Sequence, residues 1–325
     1  MTDTTVQSVR RVLPAFALFV VAPLIAEFLS GNMSIMHLGL LAVLAPLYGG
    51  GALLIRESVR RAGRSWPSIF LLALAFGILE EAFITESLFN PNYLGLNLHL
   101  LKPAYITPFG IGGWYTVFVL TLHTVWSIPV PIALVEALVP KRAGSPWLGW
   151  PGIGAITAIF VLACLSIGSF SIRMDSTHFV ASQAQFAWSA LIMLALITSA
   201  FSIPGRSRAK FRARVPDPRV VGTIALAIAS AFLLVPGAWG WWAVVTYLSL
   251  DALTIVATLT WSTHTGWRPI HRLSFAGGAA MAYAWHSLVQ TPSLGDSGDI
   301  TRMGNLLFGA LAAILIAVGA SKLGD

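Results

Sequence analysis

Charge is what this sequence has least of. Only 10% of its 325 residues are Asp, Glu, Lys or Arg, against roughly 25% in soluble domains, and that shortage excludes a water-soluble globular chain. Cysteine is nearly absent. Cys164 is the one thiol, so no intramolecular disulfide can form, and no Cys–His spacing of a zinc site occurs. Acidic residues are scarce as well, 13 against 20 Lys and Arg. What is abundant is apolar: 56% of the residues are hydrophobic and the mean hydropathy is +0.78, which makes this a polytopic membrane protein.

Apolar runs of about 20 residues, the length that crosses a bilayer, fall near 13–30, 37–55, 67–89, 112–138, 151–170, 186–203, 220–236, 239–260, 273–290 and 303–321. They predict an all-α bundle of about ten transmembrane helices forming a single membrane domain over 1–325. The first run follows a basic segment but is long and lacks a small-residue cleavage site, which predicts a retained helix. With the N-terminus inside, seventeen Lys and Arg fall at cytoplasmic helix ends, among them Arg56, Arg60, Arg61, Arg64, Lys141, Arg142, Arg268, Arg272 and Lys322; three, Lys102, Arg173 and Arg302, fall outside. Cytoplasmic flanks accumulate positive charge, so both termini are expected in the cytoplasm, in a bacterial plasma membrane. The excess of +7 then predicts contact with anionic headgroups and no nucleic-acid partner. The basic stretch "RSRAKFRARVPDPR" (206–219) divides six helices from four.

Against that background "GILEEAFITESLFNPNY" (77–93) stands out, with three carboxylates in an apolar stretch. At 1.5 Å per residue Glu80 and Glu81 lie roughly 20 Å from the inner end of the third helix, in the outer half of the bilayer. His123 lies roughly 17 Å below the outer end of the fourth helix by the same rise, at a similar depth. Asp251 on the eighth helix is also deep, whereas Glu27, Glu86, Glu136 and His286 are placed near helix ends, where polarity costs little. Adjacent residues on a helix point about 100° apart, so Glu80 and Glu81 are expected to border one cavity without aiming at one point, Glu80 sharing a face with Ser87 and Glu81 with Thr85. The fourth helix carries Pro129 and Pro131, which cannot bond the carbonyls of Val125 and Ser127. A broken turn is expected beside His123, with Ser127 one turn away at i+4. The long outer connection, with Asn90, Asn92, Tyr93, Asn97 and His99, reads as a solvated loop or a lid over the cavity.

These residues resemble the CAAX protease and bacteriocin-processing family of intramembrane glutamic endopeptidases, whose helices carry EExxxR, FxxxH and HxxxN or HxxxD. Here "EEAFIT" supplies the glutamates, "VLTLH" ends on His123 and "HSLVQ" begins on His286. Thr85, Val119 and Gln290 stand where the family has Arg, Phe and Asn or Asp. The resemblance implies that Glu80 activates water with Glu81 beside it, that His123 assists, and that His286 with Gln290 stabilises the oxyanion, with no cofactor and no metal, on a membrane peptide. Two other readings stay open. One is a proton-coupled permease for a small solute, using Glu80, Glu81 and Asp251 in five-plus-five inverted halves. The other is a scaffold whose polar residues only lock helices together.

Overall fold

The computed structural model describes residues 3–175, 177–204 and 214–324, with side chains from Val12 on. Eight helices in it are long and apolar enough to span a bilayer. They are α1 (Val12–Leu29), α2 (Ile35–Arg61), α3 (Trp66–Ile84), α4 (Gly113–Leu138), α5 (Trp150–Met174), α6 (Gln183–Ser202), α8 (Trp241–Ser262) and α10 (Asp299–Gly324). Two more, α7 (Pro218–Leu233) and α9 (Pro269–His286), complete a helical bundle at the ten places the hydropathy predicts. Proline starts several of them. It sits in the first two positions of α3, α5, α7 and α9, where its missing N–H is an orphan in any case. Of the basic stretch 206–219, residues 206–213 lie outside the described residues, as do the side chains of Arg10 and Arg11.

α9 is less apolar than its neighbours because it is interior. Its middle is a run of small residues, Ala276 to Ala280 and Ala282, all buried. A Cβ on Gly278 would lie 2.3 Å from the Gly222 carbonyl oxygen on α7, so the two backbones touch. α3 and α4 are also interior, with 67% and 61% of their spans buried, whereas α5 and α6 are 6% and 11% buried and face lipid. The interior pair carries the glutamates and the histidine.

Several boundaries depart from expectation, and two of these departures matter. α3 ends at Ile84, not near 89, because Glu86 takes a left-handed φ of 55°. α9 ends at His286, so Gln290 lies beyond the helix in a turn, its N–H bonded to the His286 carbonyl. The connection from 85 to 112 holds a short antiparallel pair, Tyr105–Ile106 with Ile111–Gly112. Four more of its non-glycine residues, Leu94, Asn97, His99 and Ala104, have positive φ, and each marks a tight reversal of the backbone.

Candidate functional site

Four helices widen into a π-helical turn, and all four turns meet at one place. The turns are Leu24–Leu29 in α1, Ala45–Gly49 in α2, Leu79–Ile84 in α3 and His123–Ser127 in α4. They supply, in order, Glu27, Tyr48, the pair Glu80 and Glu81, and His123 with Ser127. π turns are rare and concentrate at functional sites. In α4 the cause is readable: Pro129 has no N–H to return to Val125, and the helix resumes with Pro129 as its first residue. Close approach does the rest. A Cβ on Gly77 would sit 3.0 Å from the His123 Cβ, so glycine there lets α4 approach α3.

The histidine ring bridges the two glutamates. His123 Nε2 lies 2.9 Å from Glu81 Oε1, and Nδ1 lies 3.0 Å from Ser127 Oγ and 3.4 Å from Glu80 Oε2. The expectation that adjacent glutamates cannot converge is therefore corrected: the wider π turn and the two nitrogens of one ring bring both to His123. Thr85 behaves as expected, its hydroxyl 3.2 Å from Glu81 Oε2. Ser87 does not, since it donates to Glu81 instead of lying beside Glu80.

The carboxylates differ in how fully they are used. Glu81 is within hydrogen-bonding reach of His123, Ser87, Thr85 and Tyr115. Glu80 accepts from the Tyr48 hydroxyl at 2.6 Å through Oε1, while its Oε2, buried, has no hydrogen-bond partner among the described residues. Tyr48 also reaches Glu27 Oε1 at 2.5 Å. A phenol has one hydrogen, so it cannot donate to both oxygens at once. Asn32 closes the far side, donating to Glu27 Oε2 at 2.6 Å.

Glu27 and Tyr48 are the members that the sequence reading missed. Glu27 stands two residues from the end of α1 and was assigned to the headgroup zone; the π turn at Leu24–Leu29 buries it instead, at 8% exposure. Of the other predicted members, Asp251 lies apart, its Oδ2 accepting from Thr121 at 2.9 Å beside a cavity of about 40 Å³. His286 and Gln290 make no hydrogen bond or ion pair to the cluster among the described residues, and the His286 Nδ1 is unpartnered. α9 meets the π turn of α4 through other groups: Tyr283 stacks on Trp126 at 4.6 Å, and the Trp126 indole donates to the Ala279 carbonyl at 2.8 Å.

Burial, with Glu81 and then Glu80 nearby, holds the Tyr93 phenol of the outer connection above its ordinary value. Asn90 anchors the same segment, donating to Asp175 at 2.6 Å. In ligand terms, Glu80, Glu81 and His123 each offer an atom within 4.8 Å of the others, a spacing that a divalent cation can bridge.

No curated protein and no solved structure matches the chain. A family model does match, over residues 16–291, a stretch that holds every member of the cluster. The chain belongs, on that match, to a family described as an uncharacterized membrane protein family.

Proposed function

We propose that the outer cluster is a water-activating centre and that the protein is an intramembrane hydrolase of the glutamic type. The observation that carries this reading is the asymmetry of the pair: Glu81 is saturated with donors, while the buried Glu80 Oε2 makes no hydrogen bond and has only the long contact to His123 Nδ1 at 3.4 Å. A general base needs a free lone pair within reach of the proton it takes. Glu81 then holds the imidazole in place, as the carboxylate of a catalytic triad does. In the step proposed, Glu80 takes a proton from water and the water oxygen bonds to the substrate carbonyl carbon. The carbonyl electron pair moves to oxygen, the tetrahedral intermediate expels the amine, and that amine leaves with the proton Glu80 had taken. Charge developing on oxygen falls to His123, since the one Tyr48 hydrogen is committed to the carboxylates and His286 and Gln290 are held elsewhere.

The substrate class, a peptide segment entering from the bilayer, follows from the resemblance to glutamic endopeptidases. Comparing the N-termini of membrane peptides in cells making the wild type or Glu80→Gln tests it. New termini that appear only with the wild type support the reading, and identical peptide sets from equal amounts of inserted protein overturn it.

A proton-coupled permease is the second reading, favoured by the unbroken chain from Glu27 through Tyr48, Glu80 and His123 to Glu81. That chain runs across the outer half of the bilayer. Between Tyr48 and the next charged residue on α2, Arg56, lie seven residues, about 12 Å of helix, including buried Ala52 and Leu53. Flux in proteoliposomes that Tyr48→Phe abolishes would favour transport over hydrolysis.

A further inference from the structure

At the opposite end of the bundle, a cavity of about 230 Å³ opens between the inner ends of α3, α4, α9 and α10, with Trp66, Glu136, Pro140, Gly144, Arg272 and Leu323 in its wall. It is far larger than the 10–15 Å³ or so that one water needs. Glu136 is the one acid in that wall, and both its oxygens are engaged, Oε1 by Arg56 and Arg60 and Oε2 by Arg60. Arg272 is on the same wall and makes no hydrogen bond or ion pair among the described residues. Its guanidinium carbon lies 5.9 Å from the centre of the Trp66 ring, and that of Arg60 lies 5.6 Å from the same ring.

The local charge does not balance. If Arg56 is assigned wholly to Glu57, which it meets at 2.7 Å, then Arg60 neutralises Glu136 and Arg272 is left over. A half-buried guanidinium that makes no direct ion pair and shares the field of Glu136 with two closer arginines, in a cavity it helps to line, calls for an anion. Guanidinium suits phosphate oxygens in particular, because its planar fork can donate two parallel hydrogen bonds. The remaining wall is apolar, with Trp66, Ala133, Ala137 and Leu323, and suits the carbon attached to a phosphate ester. All these residues lie at the end that the charge asymmetry assigns to the cytoplasm, where basic pockets between helices meet anionic lipid.

We infer that this cavity binds a phosphate ester anion, with Arg272 pairing with the phosphate and Trp66 and Leu323 packing against its carbon substituent. The same chemistry is offered by an anionic lipid headgroup and by a soluble phosphate, and two arms of one experiment separate them. The full chain in mild detergent is titrated with phosphatidylglycerol or phosphatidylcholine and read by native mass spectrometry; inorganic phosphate is added in parallel and read by thermal shift. One phosphatidylglycerol per chain is expected on the wild type, with affinity falling about tenfold or more, some 1.4 kcal/mol, in Arg272→Gln and recovering partly in Arg272→Lys. Arg219→Gln, an exposed inner arginine, is expected to bind as the wild type does.

Should Arg272→Gln fail to fold, Gly144→Phe fills the cavity from a position where an added Cβ meets nothing within 4 Å, and the same loss is expected. A thermal shift with inorganic phosphate that vanishes in both variants, without retention of lipid, assigns the site to a soluble phosphate. Equal retention of the two lipids together with no phosphate shift, or wild-type binding by both Arg272→Gln and Gly144→Phe, overturns the proposal. The outer cluster plays no part in this result.

Discussion

The two buried polar groups of this bundle are built from the same helices to opposite ends. At the inner end, Arg56 is fully buried and divides its donors between Glu57 at 2.7 Å, Glu136 at 3.1 Å and the carbonyls of Arg142, Ala143 and Ser145. It also stacks over Trp147, 3.2 Å from the ring centre. Glu57 takes two further backbone donors, from Trp147 and Leu148. Each carboxylate there has a guanidinium, and backbone carbonyls take the remaining Arg56 donors. At the outer end, three carboxyl groups face one imidazole, one carboxylate oxygen makes no hydrogen bond, and one phenol stands between two acceptors. A finished network holds helices together; an unfinished one, kept dry at the same depth of packing, has capacity to take and release a proton.

The sharpest way to break the contrast is to remove one charge from each. Glu80→Gln is expected to lower turnover about 100- to 10,000-fold, the range for losing a general base, while thermal unfolding in detergent stays at the wild-type temperature or above it. Arg56→Gln is expected to do the reverse. Removing one partner of a buried pair strands the other charges, at a cost of about 3–5 kcal/mol, so this variant should unfold many degrees below the wild type or fail to insert. Similar melting points for the two variants would mean that the outer cluster is as structural as the inner one.

A cation offers a gentler probe. Because Glu80, Glu81 and His123 have ligand atoms within 4.8 Å of one another, millimolar zinc is expected to occupy the triangle, displace the proton chemistry and inhibit reversibly. A chelator is expected to leave turnover unchanged if Glu80 itself is the base. Loss of activity on chelation that zinc restores would transfer the activation of water from Glu80 to a metal.

What could be read from the sequence follows the physics each feature obeys. Span length and the cost of charge in hydrocarbon act locally, so the ten helices and the broken turn before Pro129 were legible. The convergence of four π turns was not. Pro23 precedes the π turn of α1 and Pro46 opens that of α2, but nothing local ties either turn to Glu80, so Glu27 looked like a rim residue and Tyr48 like one aromatic among many. Regular helical geometry also misjudged the pair itself, because a 100° step per residue holds only where the turn is regular. The resemblance led to His286 and Gln290, which a helix ending at His286 holds away from the cluster. Registers between helices distant in sequence are set by packing, here by the small-residue seam of α9 and by Trp126 on Tyr283, and single-chain patterns do not carry that.

The smallest expected effect concerns the boundary between the helix and the loop that follows it. Glu86 was read as part of α3, but it sits beyond the end of that helix with a left-handed φ of 55°, and its carboxylate accepts from the Ala181 N–H. Burial holds its carboxyl above the ordinary range, with the Ala181 N–H pulling the other way. The folded protein therefore binds this proton more tightly than the unfolded chain does. Its contribution to stability is complete below the unfolded value of about 4.3 and is lost as pH rises through the raised folded value. Glu86→Gln keeps an acceptor for Ala181 and removes the ionisation, so it is expected to flatten the fall of melting temperature with pH across that window and to melt slightly above the wild type at pH 7. It should leave turnover untouched, since Glu86 lies outside the Glu80–His123 network. A lowered melting point at pH 7 would show instead that the ionised carboxylate is what ties the outer loop to α6, and would bring Glu86 into the class of finished contacts that Arg56 represents.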